Sequence, residues 1–115
     1  MESRTQAIRY AKFLNEKKAS DIEVLDISPL TIVADYFIIA SGGSNLQVQA
    51  LANALIDKAE EEGERPLRVE GLREGAWVLL DFGAVVVHVF KKDIREFYGL
   101  ERLWGDAERV DAQLD

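Results

Sequence analysis

The chain has 115 residues, 48% hydrophobic and 30% charged, with a net charge of −7. That is the size of one ordinary domain, large enough to hide roughly two-thirds of its unfolded surface without a covalent staple. There is no cysteine, which excludes disulfides, thiolate nucleophiles and cysteine metal sites. No apolar run reaches the ~20 residues of a membrane span. The stretch MESRTQAIRYAKF lacks the apolar region of a secretory signal, so the cytoplasm is the expected compartment.

Residues 3–19 predict a helix. Ser3 and Gln6 have capping-box spacing, and Ala7, Ile8, Ala11 and Leu14 recur on one face. Lys17 and Lys18 follow at the end that favours cations. Residues 21–28 predict a strand, ended by Pro29. DYFIIAS (35–41) is almost continuously apolar, the pattern of a strand buried on both faces.

The clearest helix is 45–63. Ser44 and Gln47 repeat the capping spacing, Val48, Leu51, Leu55 and Ala59 make a stripe, and Gly63 suits the left-handed closing position. Three short strands follow at 66–71, 76–82 and 84–90. The last two meet at Gly83 as an antiparallel hairpin. Residues 92–108 predict one or two short helices broken at Gly99, and 108–115 read as a frayed tail.

This order predicts an α/β fold: a single domain over 1–115, with one mixed sheet of about five strands covered by helices. The strand-helix-strand unit of 35–71 is expected to be parallel with a right-handed crossover.

The acids concentrate in DKAEEEGE (57–64) and ERLWGDAERVDAQLD (101–115). Such a surface repels phosphate backbones, which proteins bind by neutralising them with Lys and Arg. No direct nucleic-acid contact and no membrane contact are expected. The acidity suits a basic protein partner or serves solubility alone.

Three stretches carry candidate chemistry. SGGS (41–44) leads from a strand into a helix, where free N–H groups favour anions; it reads equally as a tight turn with Ser44 as N-cap. A nucleotidyltransferase would add paired carboxylates on the next strand to hold metal ions, but that strand offers only Glu70, and no D-x-D exists. His88 is the sole histidine. It is open to three readings: a hydrogen-bonded core residue, a member of an interaction surface, or a general base with Asp81 or Glu70. Trp77, Tyr98 and Trp104, with Phe97 nearby, are core residues or interface anchors. Acids at Glu70, Glu74, Glu101 and Asp106 would rim such an interface.

Together, ADYFIIASGGSNLQVQALA, VEGLREGAWVLLDFGAVVVHVF and REFYGLERLWGDA resemble the ribosome silencing factor family, which is related to the plant protein Iojap. The motif residues are Asp35, Ser41, Gly42, Ser44, Gln47, Glu70, Gly71, Trp77, Asp81, Gly83, His88, Tyr98, Leu100, Glu101, Leu103 and Trp104. One departure is Ala84, where the family usually has an acid; another is Gly43, where a polar residue is common.

The resemblance implies a nucleotidyltransferase-like fold without catalytic carboxylates, no enzyme activity and no cofactor. It implies binding to the large ribosomal subunit through its protein number fourteen, which blocks joining of the small subunit and represses translation. It also implies homodimers of the free protein, and a role in large-subunit assembly for organellar relatives. The expected docking residues are Trp77, Glu70, Asp81, His88 and Tyr98, with Leu103 and Trp104 behind them. The rival readings are an assembly factor using the same face, and a minimal Mg²⁺-dependent nucleotidyltransferase using Ser44, Glu70 and Asp81.

Overall fold

The computed structural model describes residues 2–114. In chain order the elements are α1 (Ser3–Glu16), β1 (Ser20–Asp26), β2 (Tyr36–Gly42), α2 (Asn45–Glu61), β3 (Arg68–Glu70), β4 (Trp77–Asp81), β5 (Val85–Lys91), α3 (Lys92–Tyr98), α4 (Leu100–Leu103) and β6 (Glu108–Arg109). Among the described residues the strands form one six-stranded mixed sheet in the order β3-β4-β5-β2-β1-β6.

The most apolar strands take the centre. β2 is buried at every position, and β5 at all but its last. They pair in parallel, Ile38 with Val87 and Ile39 with His88. The other pairings are antiparallel. β2 and β3 therefore run in the same direction, as expected of the 35–71 unit, but β4 and β5 lie between them.

Alternation divides the side chains. Val85, Val87 and Val89 join Ile38, Val78 and Leu80 in a core under α1 and α2. Val86 and Phe90 join Leu25, Phe37 and Ile39 on the opposite face. There α3 packs over β2 and β5, contributing Ile94, while Leu100 and Trp104 follow from α4 and its end.

The helix ends show which local signals survive folding. The Ser44 hydroxyl accepts from Gln47 N–H at 3.1 Å, and Gln47 Oε1 accepts from Gly43 N–H. At the other end of α2, Gly63 takes φ +74. Gly63 N–H then donates to Glu60 and Glu64 N–H to Ala59, the two bonds of a Schellman closure.

The capping box predicted at Ser3 does not form. The N-cap is Glu2, without a side-chain bond. The Ser3 hydroxyl donates instead to Asp35 Oδ2 at 3.0 Å, and Gln6 donates to the Tyr10 hydroxyl. A distant acceptor has won over the local one.

Two further corrections concern the core. Tyr10, not Ile8, completes the buried stripe of α1. Its hydroxyl donates to Glu64 Oε1 at 2.6 Å, and Arg9 Nη2 donates to Glu64 Oε2 at 3.0 Å. Burial, and then the Glu64 carboxylate, push the Tyr10 hydroxyl well above its usual pKa; Arg9 holds Glu64 below its own. The tail is not frayed over the described residues 108–114. Glu108 and Arg109 pair with Asp26 and Leu25, and Val110 N–H donates to Val24. Val110 and Ala112 are buried in the larger core, and that apolar burial offsets the cost of ordering the segment.

A chain ending at Ala107 is therefore expected to lose about 3 kcal/mol of stability, from the buried valine and alanine. Urea midpoints of the full and shortened chains measure this; coincident midpoints would return the tail to the frayed state.

Candidate docking face

The face that α3 and α4 cover is not covered to its edge. Trp77, Leu79 and Asp81 of β4 point to it, all half-buried, and Arg68 and Glu70 of β3 are exposed beside them. Two features set the position of Trp77. Gly71 adopts φ +80, and a Cβ there would lie 2.0 Å from the Trp77 carbonyl oxygen. Only glycine lets the β3–β4 loop pass so close to that backbone. The indole itself stacks on Phe90, its register partner, with ring centroids 4.8 Å apart.

His88 lies beneath. It is 4% exposed, so its expected place on the contact surface is corrected: it supports the face from inside. Trp77 Nε1–H donates to His88 Nδ1 at 3.1 Å. An indole N–H can only donate, so the imidazole is neutral with its proton on Nε2. Nε2 is buried without a hydrogen-bond partner among the described residues. Burial pushes the His88 pKa from 6.5 down to about 4.

The rings continue in both directions. His88 meets Phe37 at 4.7 Å, and Phe37 meets Trp104 at 5.3 Å, both edge-on. Trp77 meets Tyr98 at 4.9 Å, and Tyr98 meets Phe97 at 5.2 Å. Trp104 thus belongs to the half-buried end of the network. Phe97, Tyr98 and Leu103 are 78%, 55% and 76% exposed. Phe97, named in the sequence only as a neighbour of the other aromatics, is the most exposed of them.

The acids divide in the same way. Glu101 accepts from Arg95 Nε and Nη2, both at 3.0 Å. Arg95 is itself buried, and its Nη1 donates to the Asp21 carbonyl and to Ser41 Oγ. Glu101 is an internal strut. Asp81 Oδ1 accepts from Gly83 N–H at 2.8 Å and closes the hairpin. Arg68 bridges Glu70 at 3.1 Å and Asp81 at 3.7 Å. No pattern in the sequence marks Arg68 or Arg95, since both roles arise from contacts between separate elements.

Ser44, Glu70 and Asp81 do not converge. Gly42, two residues before Ser44, pairs with Lys91, whereas Asp81 pairs with Val86 near the other end of β5. Among the described residues no three His, Cys, Asp or Glu side chains gather as metal ligands. Nor is any helix long and apolar enough to cross a membrane.

Comparison with known proteins agrees with this architecture. The family model described as "Ribosomal silencing factor during starvation" matches residues 1–115. The ribosomal silencing factor of Bacillus subtilis is 50% identical over 97 residues, 84% of this chain and 82% of the relative. The mouse protein named "Mitochondrial assembly of ribosomal large subunit protein 1" is 32% identical over 94 residues, 79% of this chain and 41% of the relative. A crystal structure of a Chromobacterium violaceum protein superposes with a TM-score of 0.83 at 42% identity, covering 91% of this chain and 88% of that one. The chain belongs to the ribosomal silencing factor family.

The depressed His88 pKa carries a pH dependence of definite sign. Between 6.5 and about 4 the unfolded chain takes up a proton that the folded chain refuses. Stability is therefore full above pH 6.5 and falls as the pH drops through that window, by about 2 kcal/mol between pH 7 and pH 5. Urea unfolding at the two pH values should show wild type losing that much more than His88→Phe. Equal losses would remove His88 as the source.

Proposed function

We propose that this chain represses translation in the cytoplasm by docking on the large ribosomal subunit, through its basic protein number fourteen, and filling volume that the small subunit needs. The observation that carries the reading is the uncovered aromatic face: Trp77 held from below by His88, with Tyr98 and Phe97 beside it. A rigid half-buried tryptophan edged by exposed aromatics is the composition of a protein-binding anchor. It is not a substrate cleft with convergent reactive groups.

Membership of the silencing family supplies the ribosome as partner. The net charge of −7 supplies the preference for a basic surface. In this reading Trp77, Tyr98 and Leu103 touch the partner, Glu70 and Asp81 flank it, and His88 and Trp104 brace the face. Two free chains pair through part of the same surface, so docking requires the pair to part.

The mouse relative's name favours a second reading, in which the same docking serves assembly of the large subunit. The two differ in outcome: loss of the repressor raises translation from an unchanged pool of subunits, and loss of the assembly factor lowers the yield of mature large subunits.

Trp77→Ala is expected to weaken co-sedimentation with purified large subunits about 30-fold, the loss typical of a central anchor. Trp77 is half-buried at the sheet margin, so the variant should keep its cooperative melt. A folded variant that co-sediments like wild type would take Trp77 out of the contact.

A further inference from the structure

The acids on the docking face are not all free to meet a basic partner. Strand register places Arg68 directly opposite Asp81 and Glu70 opposite Leu79. Arg68, Glu70 and Asp81 therefore stand on the same side of the sheet as Trp77 and Leu79. The guanidinium spans both carboxylates, at 3.1 Å to Glu70 and 3.7 Å to Asp81.

We propose that Arg68 is an internal stand-in for the partner's basic side chains, and that it limits docking strength by competing with them for Glu70 and Asp81. The inference rests on the docking reading above and names a residue that sets the affinity of that site.

The physical case has three parts. First, the contact can be displaced. The side chains of Arg68 and Glu70 are 58% and 56% exposed, and pairs so well solvated are weak. The Arg95–Glu101 pair is the contrast: its arginine side chain is 9% exposed and is also bonded to Asp21 and Ser41. Second, Glu70 is the freer of the two acids. Asp81 is already committed through Oδ1 to Gly83, whereas Glu70 is held by the exposed Arg68. Third, Arg68 opposes a basic partner even after displacement. Its charge stays on β3 at the docking edge, and like charges across an interface slow encounter and cost affinity.

Affinity for purified large ribosomal subunits, measured at low and at high salt, tests this. Arg68→Gln is expected to bind about threefold more tightly than wild type at low salt, with the gain fading as salt screens the carboxylates. The double variant Arg68→Gln with Glu70→Gln should fall back to wild-type affinity or below. Lys12→Gln removes the same charge from α1, on the other side of the sheet, and should leave affinity nearly unchanged.

If Arg68→Gln, folded by its melt, binds as wild type or more weakly, the inference fails while the docking reading stands. It also fails if Lys12→Gln gains as much, which would reduce the effect to net charge, or if the double variant keeps the whole gain. If neither wild type nor Arg68→Gln binds the large subunit, the docking reading and the inference fall together.

Discussion

Strand β5 must satisfy two different faces with one alternating pattern, and the rest of the molecule follows from how it does so. Val85, Val87 and Val89 are branched, apolar and fully buried, and they fix the side on which α1 and α2 pack. Val86, His88 and Phe90 fall on the other side by the same two-residue period. A slip of one residue would put an imidazole under α2 and valines under Trp77, so the register is held by the core and the site together. The parallel pairing with β2, itself buried throughout, leaves no room for such a slip.

The candidate docking face is left open because the second layer is too short to cover it. α3 has seven residues and α4 has four. They reach over β2 and β5 and stop, with Gly99 at φ +57 turning the chain between them. Arg95 holds this small lid down, tying α3 to Glu101, to the Asp21 carbonyl on β1 and to Ser41 on β2. A buried arginine is costly unless its donors are met, and here three different segments meet them. The exposed Phe97 and Tyr98 on the same helix are thereby presented at a fixed place, beside Trp77.

Much of this was legible in the chain. The unbroken apolar run of 35–41 announced a central strand, and Gly83 announced the antiparallel hairpin that carries Trp77 and His88. Ser44, Gln47 and Gly63 marked both ends of α2 correctly, because capping and left-handed closure depend on neighbours in sequence. What failed depended on distant partners. Ser3 bonds to Asp35 rather than to its own helix. Tyr10 is buried because Glu64 arrives from the end of α2 to receive its hydroxyl. The tail is ordered by the free edge of β1. In the site, the aromatic residues and His88 stood out by type, but which were surface and which were support did not. Trp77 and Trp104 look alike in sequence; only the fold sets one over Phe90 at the open edge and the other against Phe37 beneath the lid.

The relative sizes of the forces decide what each part of the face contributes. A tryptophan buries about 150–250 Å² when fully enclosed. Trp77 is already half-buried, so covering the remainder is worth roughly 2–3 kcal/mol at about 25 cal/mol per Å². A solvated carboxylate–ammonium contact is worth about 0.2–1 kcal/mol and weakens with salt. In the proposed docking, the aromatic patch would therefore decide whether the contact holds, and the acids would decide how fast and against which surface it begins. That division explains why the hydrogen bond from Trp77 to His88 matters more than its own modest energy. An indole left to rotate would have to be immobilised on contact, at about 0.5–1.5 kcal/mol for a side chain so ordered. The buried imidazole has met that cost during folding, with its unpartnered Nε2–H as the local penalty.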